Sequence, residues 1–204
     1  LKVPGLDAAR VPEYLKANKL AVENIGKPVF SGCIGPFSLA GRLYDMSEIM
    51  VGIYIDTDAI KLLLDKCTAF IVEYCKALKE IGATGVIMAE PAAGLLSNDE
   101  CIEFSTCYVR KIVEAVQDDE FVVVLHNCGN TGQCTDAMLQ SGAAALHFGN
   151  AVDIKSVLAE CPDDIMIMGN LDPVGLFKQS SPEKVYQETY MLLENTSAYR
   201  NFVI

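Results

Sequence analysis

Short apolar runs alternate with helical patterns along almost the whole chain. The runs predict six strands, at 28–34, 85–89, 121–125, 144–148, 164–169 and 201–204. Their apolar residues are continuous and do not alternate with polar ones. That pattern is typical of parallel strands buried on both faces, with helices as the crossover connections. The sequence therefore predicts an α/β protein built on a parallel sheet.

Helical signals fill the intervals between the predicted strands. The clearest pattern, at 58–81, repeats apolar residues every three or four positions and is followed by Gly82. Ser97 and Glu100 have the spacing of a capping box, which predicts a helix from there to about 117. Further helices are predicted at 9–25, from Pro36 onward, and at 132–141, 153–160 and 182–195.

Two architectures contain such a sheet: an open doubly wound sheet and a (β/α)8 barrel. No GxGxxG turn of the kind used by dinucleotide-binding open sheets is present. Polar residues do follow the strands, where barrel enzymes place their chemistry. They are Glu90, His126 with Cys128, Gly149 with Asn150, and Asn170 with Asp172. We expect residues 1–204 to form a single, incomplete TIM-barrel domain containing about six of the eight βα units.

Composition limits the kinds of partner that the protein is expected to bind. The formal net charge is −11 and there is no basic cluster, which argues against nucleic acid and anionic membranes as partners. Eight cysteines are scattered through predicted helices and strands, and no signal peptide precedes them. These features predict a reducing, cytoplasmic location. The apolar run that stops at Ile204 leads us to expect a longer protein.

The triplet His126-Asn127-Cys128 closes the third apolar run. Residues i and i+2 of a strand point to the same face, so the imidazole and the thiol share one side of the sheet. Two such ligands form half of a zinc site. The alternative is a strand that ends in polar residues which happen to be histidine and cysteine, because HxC alone is a weak motif.

Longer segments carry a family resemblance. GPFSLAGRL at 35–43, GATGVIMAEPAAGLLS at 82–97, VVLHNCG at 123–129 and MGNLDP at 168–173 resemble the uroporphyrinogen decarboxylase superfamily in order and spacing. The HxC pair is similar to that of its methylcobamide:coenzyme M methyltransferase branch. The resemblance implies a (β/α)8 barrel whose third to eighth strands are present here.

The same resemblance assigns ligands. It implies that His126 and Cys128 bind Zn²⁺, and that a third ligand, a cysteine, lies just beyond Ile204. Cys134 is a weaker candidate for that role, because the helix predicted from 132 directs it elsewhere. The family tends to have an acidic residue near Gly149 and Asn150, and this chain departs from that pattern.

Other candidate residues have two interpretations each. Glu90 is either a fourth ligand or proton acceptor at the barrel mouth, or a solvated loop carboxylate. Asn150 is a candidate to orient His126 through its second nitrogen. Asp172 either caps a helix or lines the mouth. His147 alternates with Leu146 and Phe148, which favours a core or interlayer histidine over a metal ligand.

Three functions follow from these expectations. The first is a zinc-dependent methyltransferase that moves a methyl group from a methyl-corrinoid, carried by a partner corrinoid protein, to a small-molecule acceptor such as a coenzyme M-like thiol. The second is uroporphyrinogen decarboxylase, an enzyme of tetrapyrrole biosynthesis. The third is a non-catalytic barrel that binds a corrinoid or tetrapyrrole.

Overall fold

A computed structural model describes residues 1–204. The strands are β1 (Phe30–Ile34), β2 (Gly85–Ala89), β3 (Val122–Asn127), β4 (Ala145–Phe148), β5 (Met166–Met168) and β6 (Phe202–Val203). The helices are α1 (Val11–Asn24), α2 (Pro36–Tyr44), α3 (Met46–Ile55), α4 (Thr57–Glu80), α5 (Asn98–Cys101), α6 (Cys107–Val116), α7 (Thr135–Leu139), α8 (Ile154–Glu160) and α9 (Pro182–Thr196). None of these helices combines the length and apolar character needed to cross a membrane.

The strand order distinguishes the two predicted architectures. All six strands are parallel and each pairs with its neighbours in the sequence, in the order β1-β2-β3-β4-β5-β6. A doubly wound sheet reverses its order at a switch point, and no reversal occurs here. The six-stranded sheet is therefore an arc of a barrel, as expected.

The two faces of the sheet have different surroundings. Val123 and Leu125 of β3, with Leu146 and Phe148 of β4, belong to a buried apolar core shared with α4, α6 and α8. The side chains between them point to the opposite, inner face. Because all these helices cover the outer face, the inner face is left to form the barrel interior and its mouth.

Local structure departs from the sequence patterns in three places. α3 was not predicted; it begins at Asp45, whose carboxylate accepts hydrogen bonds from Ser47 N and Glu48 N. The helix predicted from Ser97 to about 117 is interrupted by a π-helical turn at Ile102–Thr106. α7 is shorter than predicted, because Asn130 holds the preceding residues in a turn by accepting hydrogen bonds from Gly132 N and Cys134 N.

Candidate metal centre

A cavity of about 700 Å³ opens at the carboxyl ends of β3, β4 and β5. Its polar lining consists of His126 in β3 and Cys128 after it, His147 and Asn150 from β4 and its loop, Asn170 after β5, and Thr189 of α9. No aspartate, glutamate, arginine or lysine lines it. His126 and Cys128 both line this cavity, although Cys128 lies on the turn after β3 and not in the strand itself.

His126 lies within β3, directly opposite Ala89 on one side and His147 on the other. Its Nδ1 is buried and has no hydrogen-bond partner. The His147 backbone lies close enough to favour the protonated ring, yet no hydrogen bond of normal geometry reaches Nδ1. Burial, and then the neighbouring His147 ring, lower the pKa of His126. The neutral imidazole is the form that binds metals.

Cys128 sits on the turn that follows β3, and its thiol is exposed. The buried Asn127 side chain holds this turn: its Oδ1 accepts hydrogen bonds from Gly129 N at 3.1 Å and Asn130 N at 3.0 Å. Gly149 presses against the same turn, since a Cβ there would lie 2.9 Å from the Cys128 carbonyl oxygen. The backbone around Cys128 is therefore fixed from both sides.

The two asparagines of the cavity differ in their contacts. Asn170 donates hydrogen bonds to the carbonyls of Gly149 (3.0 Å) and Val152 (2.6 Å), which joins the end of β5 to the loop after β4. Asn150 is exposed on the cavity wall, and no hydrogen bond joins it to His126. Its orienting role stays a prediction.

Glu90 does not lie at this cavity. Its side chain is buried, and its carboxylate accepts hydrogen bonds from Phe37 N (3.2 Å) and Ser38 N (2.6 Å) at the first turn of α2. Burial raises the pKa of Glu90 to about 7, against the opposing effect of these hydrogen bonds. The expectation of a solvated loop carboxylate is wrong, and the structure places the group against a helix N-terminus rather than beside His126.

Asp172 and Cys134 are also away from the site. Asp172 Oδ1 accepts hydrogen bonds from Val174 N and Gly175 N, so it caps the helical turn at Pro173–Lys178. Its neighbours line the cavity, but Asp172 does not. Cys134 is fully buried, with its thiol against the carbonyl of Leu96.

His147 is placed differently from the apolar residues on either side of it. Its neighbours Leu146 and Phe148 do point into the outer core, but His147 is only half-buried and faces the cavity from the other side of β4. Its ring centroid lies 4.6 Å from that of His126. One signal was available in the sequence, because these are the only two histidines of the chain.

The side chains present fit part of a zinc site. Imidazole and thiolate are the donors that zinc takes, and His126 has an unpaired buried nitrogen at the cavity wall. The structure contains no group of three histidine, cysteine or acidic side chains already arranged to hold a metal ion. A metal here therefore requires a further donor or a rotation of these side chains.

A comparison with models of known protein families assigns the chain to one family. The model of the family described as uroporphyrinogen decarboxylase (URO-D) matches residues 1–204. The chain belongs to the uroporphyrinogen decarboxylase family. This result confirms the resemblance drawn from the GPF, HNCG and GNLDP segments.

Within the uroporphyrinogen decarboxylase family, relatives of two kinds are similar to this chain. The methylcobamide:CoM methyltransferase MtbA of Methanosarcina mazei is 33% identical over 198 residues, which are 95% of this chain and 58% of that protein. The uroporphyrinogen decarboxylase of Photobacterium profundum is 29% identical over 174 residues, 81% of this chain and 48% of that protein. The chain thus spans about half the length of the curated relatives it matches.

A solved structure of the family supports the barrel. A methyltransferase from Methanosarcina mazei superposes with a TM-score of 0.87 at 26% identity, covering 95% of this chain and 59% of that chain. The fold of this family member is therefore the partial TIM barrel that the strand order indicates.

Proposed function

We propose that the protein is a zinc-dependent methyltransferase that transfers a methyl group from a methyl-corrinoid, held on a partner protein, to a thiol such as coenzyme M. The observation that carries the proposal is the convergence of His126 and Cys128 on one cavity at the carboxyl ends of the strands. The 33% identity to MtbA supports the methyltransferase branch.

In this proposal His126 and Cys128 hold the zinc ion. Bound zinc keeps a coordinated thiol in its thiolate form at neutral pH, where a free thiol with a pKa of about 8.5 is mostly protonated. The residues of the chain fix the ligands: β3 sets the direction of His126, and Asn127 holds the turn that presents Cys128. The acceptor thiolate, its proton released to solvent, would form the new sulfur–carbon bond while the electron pair of the carbon–cobalt bond stays on the cobalt of the donor.

The rim of the cavity suits a large apolar donor. Leu171, Pro173, Phe177 and Ile204 line it, and the Phe177 side chain is exposed. Such a surface can cover the face of a corrin ring and exclude water from the reacting sulfur. This supports a corrinoid protein as the partner, and the eight free cysteines support a reducing, cytoplasmic setting.

One observation disfavours the decarboxylase alternative. A porphyrinogen with many carboxylates requires cationic side chains, and neither arginine nor lysine lines this cavity. The non-catalytic alternative keeps the cavity but does not need the metal ligands, so metal content distinguishes it from the proposal.

The test uses the full-length protein purified without a metal-affinity column. We expect about one zinc per chain and methyl transfer from methylcobalamin to coenzyme M. Replacing Cys128 with serine removes the thiolate ligand, so activity should fall by more than about 100-fold and zinc should be lost. Circular dichroism checks that the variant remains folded.

Cys107→Ser is the matched control, because Cys107 lies on α6, away from the cavity. It should keep both zinc and activity. Zinc-free wild-type protein that releases CO₂ from uroporphyrinogen would favour the decarboxylase instead, and inactive, zinc-free protein would favour the binding barrel.

A further inference from the structure

We propose that His147 is a third protein ligand of the metal, so that this chain contributes two imidazoles and one thiolate to the site. The inference rests on the proposed function, since it assumes that a zinc ion binds at His126 and Cys128. It adds a ligand that comes from a different strand, β4, and that the HxC motif does not contain.

The sheet register places the two histidines together. His126 of β3 and His147 of β4 are direct partners across the parallel pair, and both side chains point to the inner face. Their ring centroids are 4.6 Å apart, with the ring planes tilted by 31°. A chain with two histidines in 204 residues has therefore brought both of them to one point of one cavity.

Neither ring has a partner that explains its position. Nδ1 of His126 is buried without a hydrogen bond. The His147 ring is half-buried and faces the same cavity. A buried polar atom without a partner is destabilising, so a ligand for His126 Nδ1 is the more economical reason for its position. Two imidazoles side by side on one cavity wall are donors that a single zinc ion can take.

The other residues that line the cavity are poor ligands for a cation. None of its lining residues is acidic, and the amide nitrogen of Asn170 is already engaged with two backbone carbonyls. Gly169 packs closely on the end of β4, since a Cβ there would lie 2.6 Å from the Phe148 carbonyl oxygen. His126, Cys128 and His147 are thus the donors of the cavity that suit zinc.

A local rearrangement of the side chains of His126, Cys128 and His147 would complete the coordination group. The three side chains are not yet arranged as a coordination group. Cys128 is exposed on its turn, so rotation of its side chain toward the rings brings the thiol inward without changing the sheet. The two rings must also separate enough to admit a cation between their nitrogens.

X-ray absorption of the zinc-loaded, full-length protein tests the proposal, because imidazole ligands give a countable outer-shell scattering signal. We expect two imidazoles per zinc in the wild type and one in His147→Ala. Competition with a chromophoric chelator should show zinc affinity lowered by more than about tenfold in that variant. The visible spectrum of the Co²⁺-substituted protein should change as well.

Two further variants make the outcome specific. His147→Gln retains bulk but cannot replace the imidazole, so it should behave like His147→Ala even if one of the two folds poorly. Thr189→Val, a nearly isosteric change elsewhere on the cavity wall, should leave zinc affinity and both spectra unchanged.

A failure of the His147 proposal can be distinguished from a failure of the proposed function. One imidazole per zinc in the wild type, unchanged in His147→Ala, overturns the role of His147 and leaves the proposed function standing. A full-length wild-type protein that binds no zinc at this cavity overturns both.

Discussion

At the scale of single residues, the sequence indicated which side chains matter but not all of their surroundings. The spacing of His126 and Cys128 follows from strand geometry, so it could be predicted. The position of Glu90 could not, because its partners, Phe37 and Ser38 in α2, are 53 and 52 residues away in the sequence. The closeness of His147 to His126 could not be predicted for a similar reason, since only the pairing of β3 with β4 brings the two together.

Glu90 leads to a prediction about pH and stability. Its pKa is raised from 4.5 to about 7 in the folded protein, mainly by burial. Folding therefore favours the protonated form. The contribution of Glu90 to the unfolding free energy should be greatest below about pH 4.5 and should fall by on the order of 3 kcal/mol as the pH rises to about 7.

Urea denaturation at a series of pH values measures this pH-dependent contribution of Glu90 to the unfolding free energy. Glu90→Gln cannot ionise and should lack it, whereas Glu114→Gln, at an exposed position of α6, should retain it. Equal pH slopes for Glu90→Gln and the wild type would contradict the assignment.

The Glu90 carboxylate also explains why residue 35 is a glycine, since a Cβ at Gly35 would overlap Glu90 Oε2.

At the scale of elements, the strands and capped helices were predictable because their signals are local. Short apolar runs gave all six strands, and the capping box at Ser97 and Glu100 is present as expected. The shortened α7 was missed because the Asn130 side chain competes with helix formation by binding nearby backbone N–H groups.

The turn after β3 carries a second prediction. Asn127→Ala removes the acceptor for Gly129 N and Asn130 N, and should cost about 1–3 kcal/mol of stability. Because the same turn presents Cys128, zinc affinity should fall too. Asn127→Asp keeps an acceptor oxygen and should lose less of both.

Thermal unfolding and chelator competition measure these two effects. Asn195→Ala is a suitable control, since Asn195 is an exposed asparagine of α9 and does not line the cavity. Unchanged zinc affinity in Asn127→Ala would show that the turn does not position Cys128.

At the scale of the whole molecule, the site depends on the arc of the barrel. Parallel strands with all their helices outside leave one edge where the ends of β3, β4 and β5 meet, and the 700 Å³ cavity lies there. The barrel was predictable from strand order and from polar residues after the strands. The residues that line the cavity could not be predicted, because they depend on which inner-face side chains become neighbours across strands.

The most direct test of the account is a crystal structure of the zinc-loaded, full-length protein with anomalous diffraction measured at the zinc edge. The account predicts one strong peak in the cavity, about 2.0–2.1 Å from a ring nitrogen of His126 and about 2.3 Å from Cys128 Sγ. A peak elsewhere, or none, with the two side chains pointing apart, would contradict it.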